Sequence, residues 1–395
     1  MFPIGSAVTV ADLEGDLHPV LRRLRADEPV SWLPALGGWL VTSRDLALRV
    51  LRDSASFTVD DPRFSTARVV GPSMLSLDGA EHKRHREPFA EAFRLAEVEA
   101  GLREFVGARA GSLVSGLAAA GRAELRRGLA GPLAVAVVAE VLGLGDTDPQ
   151  VVLSWYDEIV GAVSAMAGQP ATGHATPAGA AGTGGSHAFR ELSERLRQTI
   201  DSGRGDSLLA AAARTGGLSS GQVVSNAAVL AFGGIETTEG MICNAVWYLL
   251  SDPGQIRAVI ADPSLLANAV EESLRLEPAA AVVDRYAAAD IALGPAQIRR
   301  GDLVTVSLAG AGRDPAVFAD PDRFDVRRAN ARQHLAFAHG PHFCLGAHLA
   351  RLEAQAAVRA LLRLPGLRLD PARHDAPRGV VFRKPAALHV LWDAP

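Results

Sequence analysis

One cysteine, Cys344, lies on a short loop with a glycine on either side and is followed directly by an apolar helical stretch. The free N–H groups and the dipole at the start of a helix favour negative charge, so a thiolate is stabilised there. Gly340 and Gly346 let the backbone bend and approach a bulky group closely. A structural cysteine in a turn is the alternative, because free cysteine often behaves as a small hydrophobic residue. A thiolate surrounded by N–H donors suits the axial ligand of a haem iron.

The loop resembles the haem-binding loop of the cytochrome P-450 family. The positions that carry the resemblance are Phe337, Gly340, His342, Cys344 and Gly346. The family more often has Arg at the position of His342, and it usually has Gly or Ser where this chain has Ala338. The resemblance implies that Cys344 ligates the iron of a non-covalently bound haem b, and that Phe337, His342 and Gly346 belong to the haem pocket.

Composition narrows the class of protein. The chain has 395 residues, is 48% apolar, carries a formal net charge of −4 and contains two cysteines. Mixed charges give no sign of a nucleic-acid partner, and two cysteines are too few for a disulfide framework. No signal peptide and no apolar run of about 20 residues is visible. We therefore expect a cytoplasmic protein that is not inserted in a membrane and is similar to the soluble bacterial members of the family. Cys243 lies among apolar residues and is expected in the core.

Helical patterns dominate from about residue 80 onward. Residues 221–251 form a very long helix in this interpretation, capped by Ser219 or Ser220 and ended before Asp252-Pro253. The other elements that the patterns predict are a helix over 11–27, a hairpin of Val30–Leu33 with Trp39–Thr42, a helix over Arg44–Leu51, helix starts at Asp252-Pro253 and Asp262-Pro263, a strand over Asp302–Leu308, a helix over Gly346–Leu362, and closing strands over Val380–Phe382 and Leu388–Trp392. Residues 54–76 are expected to be irregular.

The resemblance implies one triangular domain over residues 1–395, mainly α with small β-sheets. The haem is expected between the long helix and the Cys344 loop with the helix that follows it. Residues 167–186 are of low complexity and cannot build a core. They are expected to be either a linker or, as the family pattern favours, a mobile lid.

The long helix contains Gly233-Gly234 followed by Glu236-Thr237. Two glycines weaken a helix by about 1 kcal/mol each relative to Ala, so they need a reason. A flat surface for a planar cofactor is one reason, and helix–helix packing is the alternative. The resemblance implies that Gly233 lies against the haem and that Glu236 and Thr237 are catalytic. Thr237 would hydrogen-bond oxygen and an ordered water, and Glu236 would relay protons from solvent.

Two further motifs concern charged residues. Glu272 and Arg275 share one helix face, and the family pairs them with a second arginine, here Arg323, in a buried network behind the cysteine loop. His82 and Arg86, four residues apart, match the family's partners for the haem propionates, together with Arg285 and His342. The alternatives for 82–86 are a solvated basic turn and a metal site formed by His82 and His85.

The implied activity is a haem-thiolate monooxygenase that activates dioxygen. It would hydroxylate, epoxidise or oxidatively couple a hydrophobic small molecule, as in bacterial specialised metabolism. No convincing flavin or nicotinamide site is present, so electrons are expected from a ferredoxin and its NAD(P)H reductase. Two alternatives remain: a peroxide-driven oxygenase of the same fold, against which Glu236-Thr237 argues, and a non-catalytic scaffold, against which Cys344 argues.

The sequence also predicts which segments border the substrate pocket and which residues bind the redox partner. The segments expected at the pocket are 56–76, Val229–Gly233, Ala279–Val283 and Val380–Phe382. The residues expected to form a basic docking patch for an acidic ferredoxin are Lys83, Arg84, Arg94 and Arg332. Reversing Arg84 and Arg332 to Glu is predicted to slow reduction at low salt without changing substrate binding.

Overall fold

The computed structural model describes residues 2–167, 183–202 and 208–393. Its helices are α1 Pro3–Ala7, α2 Val10–Glu14, α3 His18–Asp27, α4 Arg44–Arg52, α5 Ser65–Val70, α6 Gly79–Ala90, α7 Leu95–Gly101, α8 Arg103–Leu117, α9 Gly131–Leu142, α10 Pro149–Ala167, α11 Thr183–Asp201, α12 Leu208–Arg214, α13 Ser220–Ser251, α14 Pro253–Ala261, α15 Leu266–Leu276, α16 Leu308–Gly312 and α17 Ala347–Leu361. Its strands are β1 Val30–Leu33, β2 Gly38–Val41, β3 Phe57–Thr58, β4 Arg122–Glu124, β5 Val282–Ala287, β6 Ile291–Leu293, β7 Ala296–Ile298, β8 Leu303–Ser307, β9 Arg368–His374 and β10 Leu388–Leu391.

The strands form three small sheets. The largest has the order β1-β2-β8-β5-β3, in which β1 and β2 are an antiparallel hairpin, β2 runs parallel to β8, and β5 runs antiparallel to β8. The others are β4-β10-β9 and the hairpin β6-β7. A core of Val30, Val41, Val304 and Val306 lies on the largest sheet, and Leu335 packs into it just before the cysteine loop. The sheet therefore anchors the start of that loop.

Contacts between residues group the chain into two compact units. The first comprises Met1–Phe57, Glu99–Leu133 and Glu236–Pro395, and the second comprises Thr58–Val98 and Ala134–Ile235. Each unit combines segments that are distant in sequence. The single domain over residues 1–395 stays a prediction.

Helix ends follow the local capping signals. Ser219 and Gln222 cap α13 reciprocally: the Ser219 hydroxyl accepts from the Gln222 N–H at 3.3 Å, and the Gln222 side chain accepts from the Ser219 N–H at 3.0 Å. Asp252 accepts from the N–H groups of Gly254 and Gln255 at the start of α14. Asp262 accepts from the Ser264 N–H at the next helical turn. The predicted long helix and both Asp-Pro helix starts are confirmed.

Three expectations for single elements are wrong. Residues 11–27 do not form one helix, because α2 ends at Glu14 and α3 begins at His18, with a proline in its first turn. Residues 54–76 are not wholly irregular, since they contain β3 and α5. Val380–Phe382 is no strand, and only Phe382 forms an isolated bridge, to Ala280.

Two further observations concern the chain as a whole. The predicted lid over 167–186 lies outside the described residues except at its ends, where α10 ends at Ala167 and α11 begins at Thr183. In the parts of the chain that the structure describes, no helix is long and apolar enough to cross a bilayer.

Candidate active site

The cysteine loop is a tight turn closed by its own backbone. The Cys344 N–H donates to the Phe337 carbonyl at 2.9 Å, and the Ala338 N–H donates to the Leu335 carbonyl at 2.8 Å. Gly340 has φ +73, and a Cβ at this position would lie 2.4 Å from the Leu51 carbonyl oxygen. Glycine is therefore required here for both conformation and space. The Cys344 thiol is exposed, and Phe343 beside it is 41% exposed.

Ala338, the departure from the family pattern, adopts an uncommon conformation. Its φ is +58, in the left-handed region that disfavours a Cβ. The glycine that the family usually has at this position would adopt this φ without strain. The loop keeps its turn in spite of the methyl group, because two backbone hydrogen bonds constrain it, from Ala338 to Leu335 and from Cys344 to Phe337.

A buried carboxylate and two arginines brace the first unit. Arg275 donates to Glu272 through Nε at 2.7 Å and through Nη2 at 2.8 Å, and both side chains are fully buried. The second arginine is Arg328, whose Nε donates to Glu272 at 2.8 Å. Arg323 contributes only its backbone carbonyl, which accepts from Arg275 at 3.1 Å, while its side chain is exposed. The prediction of Arg323 in this network is therefore wrong, because the chain turns between Arg323 and Arg328 and directs the later side chain inward.

A second brace, which sequence reasoning missed, begins at the neighbouring Glu271. Its carboxylate is fully buried and accepts from Arg351 at 2.6 and 3.0 Å, and His334 lies at 3.0 Å. The Arg351 guanidinium lies 4.4 Å from the centre of the Phe337 ring. This brace thus reaches the residue whose carbonyl closes the cysteine loop. Burial would raise the pKa of Glu271. The hydrogen bonds and charges of His334 and Arg351 outweigh the effect of burial and lower that pKa to about 2.

The two glycines of α13 differ in their surroundings. A Cβ at Gly234 would lie 2.8 Å from Cγ2 of Val138, so Gly234 allows α9 to pack closely. Among the described residues, no atom lies within 4 Å of a Cβ placed at Gly233. Helix–helix packing, the alternative explanation for the two glycines, therefore accounts for Gly234. It does not account for Gly233, which borders open space.

Glu236 and Thr237 follow on the same helix. The Glu236 side chain is buried, and its Oε1 lies 2.8 Å from the Nζ of Lys384. Lys384 also donates to Oε1 of Glu239 at 2.7 Å. No sequence signal pointed to Lys384, which follows α13 by more than a hundred residues. Cys243, one turn further along α13, is fully buried as expected, and burial raises the pKa of its thiol.

The predicted propionate partners occupy both units. In the second unit, His82 is buried and Arg86 is half-buried on α6. In the first, Arg285 is 4% exposed on β5, and His342 is half-buried on the turn before Cys344. Both ring nitrogens of His85 have other neighbours: Asn226 of α13 lies 3.0 Å from Nδ1, and Nη2 of Arg84 lies 3.3 Å from Nε2. His85 therefore does not join His82 in a metal site. Among the described residues no group of three potential metal ligands is present.

The residues of each unit fit a haem. The first unit offers an exposed cysteine on a tight loop, a buried arginine and an imidazole. A Cβ at Gly346 would meet no atom of the described residues within 4 Å. The second unit offers the open space beside Gly233 together with the imidazole and guanidinium groups of α6. A thiolate, cations and bare glycine backbone are the donor set that an anionic, planar iron cofactor needs.

Comparison with known proteins decides the family. The cytochrome P-450 family model matches residues 186–378. The monooxygenase PikC from Streptomyces venezuelae is 38% identical to this chain over 91% of it and 86% of the relative. The chain belongs to the cytochrome P-450 family. A second relative, 20-oxo-5-O-mycaminosyltylactone 23-monooxygenase from Streptomyces fradiae, is 36% identical over 94% of this chain and 87% of its own.

The cytochrome P-450 fold is confirmed as well. The crystal structure of CalO2 matches with a TM-score of 0.86 and 29% identity, covering 97% of this chain and 98% of the other. The mainly helical class with small sheets agrees with that fold. Because its relatives are named monooxygenases, the chain is an enzyme of that class, and membership of the family implies a haem-thiolate cofactor.

Proposed function

We propose that this cytochrome P-450 binds haem b through Cys344 and receives electrons from a ferredoxin and its NAD(P)H reductase. The reaction is hydroxylation, epoxidation or oxidative coupling of a bulky hydrophobic natural product. The observation that carries the proposal is the exposed Cys344 thiol on a loop fixed by Gly340 and connected through Phe337 to a buried carboxylate–arginine brace. A cysteine with a purely structural role would be expected in the core instead.

The roles of the other residues follow from their chemistry. When bound, haem supplies the redox chemistry that activates dioxygen. Cys344 would hold the iron, and four cationic or imidazole side chains would hold the propionates: His82, Arg86, Arg285 and His342. Phe337, Gly346 and Gly233 would border the macrocycle. Glu236 would hold and release a proton, and Thr237 would orient a hydrogen bond toward the reacting oxygen.

An apolar substrate is supported by two segments of the first unit that lie side by side. The Ala281 N–H donates to the Val381 carbonyl at 2.8 Å, and the Arg383 N–H donates to the Ala279 carbonyl at 2.8 Å. Ala279–Val283 and Val380–Phe382 thus lie side by side and contain only apolar residues, so a pocket surface formed by them would carry no charge. Such a surface favours bulky hydrophobic molecules over ligands that need an ion pair. The relative from Streptomyces fradiae is named for a mycaminosyl-tylactone, so glycosylated macrolactones are one class to test.

An optical titration tests the proposal. Purified holoenzyme would be titrated with macrolides, terpenes, aromatic polyketides and cyclic dipeptides while the haem Soret band is followed. A low-spin to high-spin shift with one class supports the proposal and identifies the substrate chemistry. Absence of a thiolate-type Soret band after reconstitution with haem would contradict it, and product formation with peroxide but not with ferredoxin and reductase would favour the peroxide-driven alternative.

The ferredoxin proposal has a test of its own. Lys83 and Arg94 are 73% and 71% exposed, whereas Arg84 donates to the Gly217 carbonyl at 2.7 Å and to Glu81, and Arg332 lies 4.0 Å from Glu271. Changing Arg84 or Arg332 would disturb the fold, so Lys83→Glu and Arg94→Glu are the better variants. We expect both to slow reduction by ferredoxin at low salt, and the difference to shrink as salt rises. Arg257→Glu on α14 is a control of equal charge, and unaltered reduction in both test variants would contradict the docking proposal.

A further inference from the structure

A buried lysine connects two carboxylates of the long helix. The Nζ of Lys384 lies 2.8 Å from Oε1 of Glu236 and donates to Oε1 of Glu239 at 2.7 Å. Glu236 and Glu239 are three residues apart on α13, so they share one face of the helix. Lys384 is 12% exposed, Glu236 is 5% exposed and Glu239 is fully buried. Ion pairs at this depth are weakly screened, so each partner strongly affects the charge and position of the others.

The backbone that carries Lys384 is fixed firmly. The neighbouring Arg383 is 1% exposed, and its guanidinium donates to Glu277 at 2.6 Å. The same guanidinium donates to four backbone carbonyls, those of Leu13, Gly15, Pro377 and Gly379. The amide of Asn244 on α13 donates to the Arg383 carbonyl at 2.9 Å. These hydrogen bonds fix the backbone next to Lys384, so its ammonium group lies at a defined position beside α13.

Glu239 shares the lysine with Glu236. Arg126 donates to Oε1 of Glu239 at 2.6 Å and to the Ala386 carbonyl at 3.0 Å. A Cβ at Gly131 would lie 2.7 Å from Oε2 of Glu239, so the bare backbone there makes room for this carboxylate. Arg127 also takes part, since its Nη1 lies 4.0 Å from Oε2 of Glu239, so three cations surround the two carboxylates. Removing Lys384 would take away an ammonium group that lies 2.8 Å from Oε1 of the buried Glu236.

We propose that Lys384 is a positioning residue for Glu236, whose carboxylate it holds on the Glu239 side of α13 until that carboxylate is needed for proton transfer. This inference rests on the proposed function, in which Glu236 handles protons. It adds a residue from the C-terminal segment that no sequence motif contains. In this arrangement Lys384 does not touch the reacting atoms and acts only through Glu236.

Four variants and one control test the proposal by kinetics. Lys384→Met and Glu236→Gln are each expected to lower kcat by roughly tenfold or more, with a larger solvent deuterium isotope effect and an unchanged substrate dissociation constant. The double variant should show no further loss, because both changes remove the same step. Lys384→Arg should recover most of the rate, since a guanidinium also donates to two carboxylates. Arg378→Met, an exposed cation that faces Lys384 across an isolated bridge, is the control and should behave as wild type.

Thermal unfolding supplies a readout that does not depend on turnover. The fall in Tm of the Lys384→Met, Glu236→Gln double variant should be smaller than the sum of the two single falls. Additive falls in Tm, a wild-type kcat and isotope effect in Lys384→Met, or multiplicative losses of kcat would each overturn the inference. If wild-type holoenzyme forms no product at all, the proposed function is contradicted instead. The Tm values of the single and double variants still measure the ion pair between Lys384 and Glu236.

Discussion

Adjacent glycines on α13 illustrate how one residue type serves two purposes. Gly234 is required by packing, since a Cβ would lie 2.8 Å from Val138. Gly233, one residue earlier, borders space in which a Cβ would meet no atom of the described part of the chain within 4 Å. Glycine costs a helix about 1 kcal/mol relative to Ala, so a position with room for a methyl group needs another reason for it. A bulky ligand beside Gly233 is that reason in the proposed function.

The two glycines should therefore respond oppositely to the same substitution. Gly234→Ala is expected to lower the free energy of unfolding by about 1–3 kcal/mol, because the methyl group overpacks against Val138. Gly233→Ala should leave the haem-free chain unchanged or raise that free energy by up to about 1 kcal/mol. Urea unfolding of both haem-free variants measures the difference. Equal destabilisation by the two changes would show that both glycines are packing residues.

A larger change at Gly233 separates folding from ligand binding. Gly233→Leu fills the open space and is expected to reduce the haem bound per chain, or to block the substrate-induced shift of the Soret band. The far-ultraviolet circular dichroism of the haem-free variant should stay that of wild type. Normal haem content together with a normal substrate shift would contradict the assignment of this space to the ligand site.

At the scale of elements, α15 supports the cysteine loop with two consecutive carboxylates. Successive residues of a helix point about 100° apart, so Glu271 and Glu272 enter different surroundings. Glu272 binds Arg275 and Arg328, and Glu271 binds Arg351, whose guanidinium lies over the Phe337 ring. One short helix thus holds both the segment that carries Arg328 and the start of α17.

The corrected assignment of the second arginine gives a direct test. Arg328→Met leaves Glu272 with one cation fewer in a buried site and is expected to cost about 3–5 kcal/mol of unfolding free energy. Arg323→Met should cost less than about 0.5 kcal/mol, because its side chain is exposed and only its carbonyl is used. Chemical denaturation of the two variants provides the comparison, and the reverse ranking would restore Arg323 to the network.

Across the whole molecule, buried carboxylates are compensated by cations that are distant from them in sequence. Glu277 is 2% exposed and binds Arg383 at 2.6 Å and His18 at 2.8 Å. Burial would raise the pKa of Glu277, but the charges and hydrogen bonds of His18 and Arg383 lower it to about 2, as the partners of Glu271 do for that residue. Glu353 behaves oppositely, since burial raises its pKa. The first unit therefore depends on a set of compensated charges.

This dependence predicts acid sensitivity with a defined sign. Glu271 and Glu277 have folded-state pKa values of about 2, below the ordinary value of 4.5, so the stability that they contribute is complete above pH 4.5. It should be lost as the pH falls from about 5 to about 2, by at most on the order of 3 kcal/mol for each group. Unfolding free energies measured across that range in wild type and in Glu271→Gln test this. A Glu271→Gln variant with the same pH dependence as wild type would contradict it.

The sequence by itself determined what depends on a few neighbouring residues. A cap of α13 by Ser219 or Ser220, the Asp-Pro helix starts and a backbone bend at Gly340 depend on residues close in sequence, and each was predicted. The structure selects Ser219 as the cap and gives Gly340 a left-handed conformation. The family and its cysteine loop were predictable too, because the chemistry of a thiolate ligand needs a fixed local pattern. The roles of the individual site residues stay predictions.

Only the tertiary structure decided which distant charges meet. Glu272 and Arg328 are 56 residues apart, and Glu239 and Lys384 are 145 apart. Either Arg323 or Arg328 could satisfy the same carboxylate by charge alone, and only the turn between them selects one. No local sequence pattern predicts the partners of Lys384, because they depend on where Arg383 fixes the backbone of this segment. Long-range ion pairs depend on how whole segments pack against one another. A local sequence pattern therefore does not predict them.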